Sequence, residues 1–158
     1  MLSKNTVIAG VILLACGFIW IRSHGYNLQR ELVVEASPEQ VFKHLSSREA
    51  IRNWMPKPEK LNETGITIDL TNPHIAASAE NAYVQTKSEC GLLGVSESTW
   101  MLKPDVSGQT KIILSYSHKM AYTPMSFLFG GGLESAADRA YGRALSAFKV
   151  YVESELKR

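Results

Sequence analysis

The sequence predicts an α+β protein in which an antiparallel sheet packs on a long C-terminal helix, behind one N-terminal transmembrane helix. Three observations predict this class. Residues 6–21 form an uncharged apolar run, the middle of the chain alternates apolar and polar residues, and a helical apolar stripe begins at Leu133. With 158 residues, the chain has room for one domain and a short appendage. Its 45% apolar and 20% charged residues are typical of a folded globular protein.

The N-terminal segment is predicted to be a membrane anchor. Residues 6–21 carry no charge, Lys4 and Arg22 flank them, and Trp20 suits the membrane interface. At about 1.5 Å per residue the run reaches roughly 24 Å, a little short of the ~30 Å hydrocarbon core. We therefore expect an uncleaved, single-pass signal-anchor over residues 1–22, which makes the membrane a partner of this protein.

Two other interpretations of this segment stay open. Leu13-Leu14-Ala15-Cys16 resembles a bacterial lipobox, in which Cys16 would be acylated, although residues 17–21 continue the apolar run. Ordinary signal cleavage is the third interpretation. Because short N-terminal anchors usually export the domain attached to them, we expect this domain to face the periplasm at a bacterial inner membrane.

A polar linker at residues 23–30 is predicted to lead into the folded domain at residues 31–158. Residues 31–36 are rich in β-branched side chains and predict the first strand. The motif Ser37-Pro38-Glu39-Gln40 then has the N-cap serine, the proline at the first position and the glutamine at the third that begin a helix. We expect this helix to end near Ser46.

A second short helix is predicted directly after the first. Ser46 and Glu49 have the spacing of another capping box, and Trp54 belongs to the apolar face of this second helix. Pro56 and Pro58 end this helix, because proline removes a backbone donor and clashes with the preceding turn.

Beyond the prolines the period changes to two, which predicts an antiparallel meander of four or five strands. Strands are expected at residues 66–70, 82–90, 95–103 and 111–120, with turns at 91–94 and 104–109. Residues 72–81 are polar and predict an irregular stretch.

The last helix is predicted from Leu133 onwards, since apolar residues recur there at spacings of three and four. Its apolar stripe is Leu133, Ala137, Ala140, Tyr141, Ala144, Leu145, Phe148, Tyr151 and Val152. The glycines at 130–132 are expected to form a flexible turn with positive φ before it. Residues 122–129 would then be a loop that acts as a lid or as a second contact with the bilayer.

The run ELVVEASPEQVFKHL at residues 31–45, followed by NWMP at 53–56, resembles the opening of the polyketide cyclase/dehydrase-like branch of the START superfamily. The resemblance covers nearly the whole domain. It implies a helix-grip fold, in which a curved antiparallel sheet wraps the C-terminal helix and encloses a cavity. Members of that superfamily include lipid carriers, aromatases and coenzyme Q-binding proteins, which share a cavity rather than a catalytic motif.

If the fold is a helix grip, a set of large side chains is expected to line the cavity: Trp54, Tyr83, Trp100, Tyr116, His118, Met120, Phe127 and Tyr141. Alternation with Leu114 and Tyr116 puts His118 on one sheet face, where its pKa would suit a general base. A structural histidine remains the preferred interpretation, because no Asp or Glu has a spacing that marks it as a partner. We therefore assign no catalytic residue.

Composition and motifs argue against several other classes of protein. The 17 Lys and Arg residues are dispersed and nearly balanced by 15 Asp and Glu, so no nucleic-acid partner is expected. The four His and two Cys lack paired ligand spacings, so neither a metal site nor a cofactor is expected.

The favoured function is a membrane-tethered, non-catalytic module that binds a hydrophobic or amphipathic small molecule, either lipid-like or quinone-like. Two alternatives stay open. One is a cyclase or aromatase that uses His118 or Tyr116 for proton transfer. The other is an envelope protein-interaction domain with no ligand. A wide apolar cavity would favour the carrier, polar groups converging in a wide cavity would favour the enzyme, and a filled core would favour the interaction domain.

Overall fold

The computed structural model describes residues 8, 10–16, 25–57, 59–61, 66–68, 74–89, 94–120 and 124–157, with the backbone alone for 59–61, 66–68 and 124–131. The elements in chain order are β1 (Tyr26–Val34), α1 (Pro38–Leu45), α2 (Arg48–Trp54), β2 (Glu59–Leu61), β3 (Ile66–Ile68), β4 (His74–Ala79), β5 (Tyr83–Glu89), β6 (Gly94–Pro104), β7 (Thr110–Met120) and α3 (Pro124–Glu155). This order confirms the predicted α+β class, with two short helices after the first strand and a long helix at the end.

The main sheet has five antiparallel strands in the order β1-β7-β6-β5-β4. Strands β4 to β7 form a meander, and β1 pairs along β7 with Tyr26 opposite His118 and Val34 opposite Thr110. The short strands β2 and β3 pair with each other in a separate sheet. The first strand of the domain is thus held in the sheet by the last one.

The N-terminus of α1 confirms the predicted capping box. The Gln40 backbone N–H donates to the Ser37 hydroxyl at 3.3 Å, and the Ser37 N–H donates to the Gln40 side chain at 2.9 Å. Val41 and Leu45 form the buried face of this helix. Two otherwise unpaired backbone donors are satisfied by this reciprocal pair.

The N-cap of α2 differs from the prediction by one residue. Ser47 is the cap, since its hydroxyl accepts from the Ala50 N–H at 3.1 Å. Ser46 instead ends α1, where its own N–H donates to the Phe42 carbonyl at 2.9 Å. Of the two adjacent serines, Ser46 is therefore the C-cap of α1 and Ser47 is the N-cap of α2.

Strand β4 lies within the stretch that was predicted to be irregular, and that prediction is wrong. Its sequence HIAASA is rich in alanine and serine, which have low β-propensity. It pairs along β5 at the sheet edge, with a register shift between Ile75 and Ala77. Tertiary pairing, rather than the local pattern, determines this strand.

Helix α3 is 32 residues long and begins nine residues before Leu133, where we expected it to start. The predicted glycine turn at 130–132 is wrong, because those residues are helical; among the described glycines, positive φ occurs at Gly94 and Gly108. The predicted lid loop is likewise helical over residues 124–129, while Tyr122 lies outside the described residues. Glycine costs about 1 kcal/mol in a helix relative to alanine, which continuation of a well-packed helix can absorb.

The predicted anchor lies mostly outside the described residues. Residues 8 and 10–16 are helical, and no helix among the described residues has the length and hydropathy needed to span a membrane. Strand β1 begins at Tyr26, so residues 26–30 of the predicted linker are strand. Gly25 precedes it where a Cβ would lie 2.5 Å from the His118 carbonyl oxygen, which explains the need for glycine.

Strand alternation divides the sheet into an inner face, which packs on α3, and an outer face. The core lies between the inner face and α3, whose buried residues there are Ala137, Tyr141, Ala144, Leu145, Phe148 and Val152. The apolar stripe predicted for the last helix is therefore confirmed as its core-facing side.

Candidate functional site

The inner face changes from polar to apolar along the strands. Two neighbouring cross-strand rows carry hydroxyl or imidazole groups: Ser88, Ser96 and His118 in one, and Thr86, Ser98 and Tyr116 in the next. The adjoining row is apolar and consists of Val84, Trp100 and Leu114. Hydroxyl side chains in a buried sheet face require hydrogen-bond partners. This polar end of the inner face is therefore the candidate binding site.

A small cavity lies where this polar end meets α2 and α3. Its volume is about 20 Å³, and a cavity of roughly 10–15 Å³ or more can hold one water. The described side chains that line it are Leu45, Ile51, Trp54, Met55, Val84, Thr86, Ser88, Ser98, Trp100 and Tyr141. All of them are uncharged.

One wall of the cavity is aromatic. The rings of Trp54 and Trp100 meet edge to face with centroids 5.7 Å apart, and Phe148 packs against both at 4.8 and 6.1 Å. The Trp54 indole N–H donates to the His44 carbonyl at 3.0 Å. This bond fixes the indole from behind, so its ring presents an apolar surface to the cavity.

Hydroxyl groups lie on the sheet side of the cavity, beside Trp100. The Thr86 and Ser98 hydroxyl oxygens lie 2.7 Å apart in a mutual hydrogen bond, and the two residues are 8% and 3% exposed. The Ser96 hydroxyl donates to the Ser88 carbonyl at 3.4 Å. The cavity lining is therefore amphipathic, because it combines hydroxyl groups with aromatic rings.

An aromatic cluster around His118 lies beside the cavity on the same inner face. Tyr26 stacks on the imidazole with centroids 5.2 Å apart, and the Tyr116 hydroxyl lies 3.4 Å from His118 Nδ1. Tyr141 contacts Tyr116 at 4.5 Å. His118 is 3% exposed and Tyr26 stacks on its ring, so the imidazole is enclosed within this cluster.

The structure brings Trp54, Trp100 and Tyr141 of the predicted residues to the cavity. Tyr116 and His118 lie in the neighbouring cluster. Met120 is half-buried and packs against Leu133 and Ala136 of α3. The Phe127 side chain lies outside the described residues.

Tyr83 lies on the outer face, so its prediction as a cavity residue is wrong. Its neighbour Val84 is fully buried on the inner face, and alternation points Tyr83 the other way. Its cross-strand partner Met101 is 43% exposed on that outer face.

Sequence reasoning missed the hydroxyl wall. Ser98 is two residues from Trp100 on one strand, and Thr86 is two residues from Val84, so each pair shares a face. The alternation that placed Trp100 inside therefore also placed Ser98 inside. Tyr26 was missed because it belongs to the stretch predicted as a linker.

Two electrostatic features lie outside the cavity. Arg30 on β1 donates to both carboxylate oxygens of Asp138 on α3, at 2.9 and 2.7 Å, and these bonds lower the pKa of Asp138 and raise that of Arg30. Burial, followed by the charge of Lys43, lowers the pKa of His44. In the part of the chain that the structure describes, no three His, Cys, Asp or Glu side chains lie close enough together to hold a metal ion.

Comparisons with known proteins place the fold. No family model and no curated protein matches the chain in sequence. Among solved structures, it is similar to the Zhui aromatase/cyclase from Streptomyces sp. R1128, with 12% identity, a TM-score of 0.59, and coverage of 84% of this chain and 96% of that one. It is also similar to Ara h 8.0201, with 15% identity, a TM-score of 0.55, and coverage of 83% and 99%. A third similar structure is SA2116, a protein of unknown function from Staphylococcus aureus. It has 12% identity and a TM-score of 0.58, with coverage of 85% of this chain and 98% of that one. These likenesses confirm the predicted helix-grip fold.

Proposed function

With the helix-grip fold as the premise, we propose that this chain binds a hydrophobic or amphipathic small molecule between its sheet, α2 and α3, without catalysing its conversion. The observation that carries the proposal is the amphipathic cavity. Trp54, Trp100 and Tyr141 offer ring surfaces, and Thr86 and Ser98 offer hydroxyl groups in the same lining. Apolar walls with a few placed polar groups are typical of small-molecule sites.

Binding of such a molecule requires the cavity to widen. Sites for drug-sized ligands enclose roughly 300–1,000 Å³, far more than the 20 Å³ present here. We propose that α2 is the element that moves. It has only seven residues, and Ile51 and Trp54 are the two side chains through which it contacts the core. Met55, half-buried directly after α2, lies on the cavity lining. Displacement of α2 and Met55 from β5 and β6 would admit the ligand.

We further propose that residues 6–21 hold the domain at a membrane, with the domain in the periplasm. The support is the uncharged apolar run in the sequence. A tethered domain would receive an apolar ligand from the bilayer without moving it far through water. We expect the full-length protein to stay in the membrane fraction when membranes are extracted with alkaline carbonate. Deletion of residues 1–22 should release it. Digestion by protease added to spheroplasts tests the side on which the domain lies.

A second candidate is a protein-interaction domain without a ligand. The small cavity volume favours it, because a core that is already filled leaves no space for a guest. In this alternative, the hydroxyl wall is a structural hydrogen-bonded pair and the aromatic wall is core packing.

Native mass spectrometry of the full-length protein in mild detergent, followed by lipid extraction, tests the proposal. We expect a stoichiometric apolar molecule to be bound to the wild type. Met55→Trp, which fills the cavity edge, should lose it. Met101→Trp makes the same change on the outer face, where Met101 is 43% exposed, and should retain it.

Folded protein without a bound molecule would contradict ligand binding and favour the interaction domain. Equal retention by both variants would place the ligand elsewhere on the protein.

A further inference from the structure

The Thr86 and Ser98 hydroxyls form an isolated donor and acceptor pair on the cavity wall. They are opposite each other on β5 and β6, and their oxygens are 2.7 Å apart. Two hydroxyl groups carry two protons, and the mutual bond uses one of them. The accepting hydroxyl therefore keeps a proton to donate, and lone pairs remain on both oxygens.

The setting of this pair restricts what could bind to it. Both residues are at least nine-tenths buried, and the side chains lining the cavity in the described part of the chain are uncharged. A charged ligand group would lose its hydration here without a counter-ion beside it, which is costly. A neutral carbonyl or hydroxyl oxygen would lose much less, and it matches a donor with adjacent lone pairs.

The apolar part of the ligand has its own surface. Trp54 and Trp100 also line the cavity, with their rings 5.7 Å apart and edge to face. A ring or an acyl chain can lie against such a surface while its oxygen faces the hydroxyl pair. The 20 Å³ cavity is large enough for one water-sized group, such as that oxygen.

We infer that the Thr86–Ser98 pair is the anchoring point for an uncharged ligand, which accepts or exchanges a hydrogen bond there through a carbonyl or hydroxyl oxygen. The inference rests on the proposed function and specifies its ligand class. It distinguishes a neutral quinone-like, ketone-like or alcohol-like molecule from a fatty acid or another anion.

The test uses three probes with the same naphthalene body. 2-Acetylnaphthalene carries a ketone, 2-ethylnaphthalene lacks the oxygen, and 2-naphthoate is charged. Binding is followed on the full-length protein in mild detergent, by quenching of Trp54 and Trp100 emission in a Trp20→Phe background. Because the probes partition into micelles to different extents, each Kd is referred to the free probe concentration, measured in micelles without protein.

The test variant combines Thr86→Val with Ser98→Ala, which removes both hydroxyls together and leaves no buried partner unpaired. The matched control combines Thr99→Val with Ser115→Ala. Those residues are also cross-strand partners, on the outer face of the sheet. Thr86→Ser, which keeps the hydroxyl, serves as the conservative variant, and thermal unfolding checks the fold of each.

We expect the test variant to weaken binding of 2-acetylnaphthalene by about tenfold, and to change that of 2-ethylnaphthalene by less than about twofold. The control and Thr86→Ser should bind both probes like the wild type. The wild type should bind 2-naphthoate at least about tenfold more weakly than the ketone.

Equal losses for the ketone and the ethyl probe, or no loss for either, would overturn the inference while ligand binding stands. Binding of 2-naphthoate as tight as that of the ketone would overturn the uncharged class. If the wild type shows no saturable quenching by either neutral probe, the proposed function and the inference both fall.

Discussion

Phe148→Ala is the substitution with the largest expected effect on folding. Phe148 is 0% exposed and packs against Trp54 at 4.8 Å and Trp100 at 6.1 Å. Truncation of a buried phenylalanine to alanine costs about 3–5 kcal/mol, because the removed atoms leave a cavity. That range already contains the loss of the two aromatic pairs, each worth about 0.5–1.5 kcal/mol beyond area burial. We therefore expect a loss near 4 kcal/mol, a large part of the roughly 5–15 kcal/mol that stabilises a domain.

Equilibrium unfolding in guanidinium, followed by tryptophan fluorescence and far-ultraviolet circular dichroism, measures this loss. Val150→Ala is the matched control on the same helix, since Val150 is 70% exposed, and it should change the free energy of unfolding by less than about 0.5 kcal/mol. A loss for Phe148→Ala below about 1.5 kcal/mol would refute the packing described here. It would mean that α3 does not seal the sheet at this position.

Three further predictions concern pH and backbone geometry. Burial lowers the pKa of His44 from 6.5, so the free energy of unfolding should be highest above pH 6.5 and should fall as the pH drops from 6.5 through the native pKa. His44→Gln should flatten that part of a plot of Tm against pH. Asp138 is hydrogen-bonded to Arg30, which lowers its pKa from 3.8, so the pair contributes above pH 3.8 and its contribution disappears as the pH falls through the native pKa. With side chains 39% and 43% exposed, Asp138→Asn should cost no more than about 1 kcal/mol at pH 7 by denaturant unfolding, and a larger cost would contradict the solvent screening assumed here. Gly132→Ala meets nothing within 4 Å and should raise stability by about 0.5–1 kcal/mol, whereas Gly25→Ala meets the His118 carbonyl oxygen and should lower it by about 1–3 kcal/mol; opposite signs in thermal unfolding would refute both placements.

Local rules were sufficient for the parts of the fold that depend on local chemistry. The Ser37 capping box and the apolar stripe of α3 follow from spacing along the sequence, and both are present. Strand β4 and the helical glycines at 130–132 could not be predicted this way. Strand β4 pairs with β5, and the helix is held by Leu133 and Ala136, which follow the glycines and pack against Tyr26 and Met120.

The candidate site was predictable in its aromatic half and was missed in its polar half. Large rings such as Trp100 suggest a core or a pocket wherever they occur. A serine or threonine in a strand suggests a solvent-facing position when it is considered alone. Thr86 and Ser98 were therefore missed, although alternation with Val84 and Trp100 places them on the inner face. The error at Tyr83 has the same origin, because a shift of one residue turns a side chain to the other face.

Pairing of β1 with β7 also determines the order in which the sheet can be completed. Strands β4 to β7 follow one another in the sequence and in the sheet, so each can pair with the previous one during synthesis. Strand β1 is synthesised first, but it cannot pair until its partner β7 has been synthesised. Until β1 docks, one edge of β7 has unpaired backbone groups, and such edges promote association with other chains. Contacts between distant parts of a chain also slow folding. The strand pairs that carry Thr86 and Ser98 can therefore form early, whereas the stacking of Tyr26 on His118 marks the last step of sheet assembly.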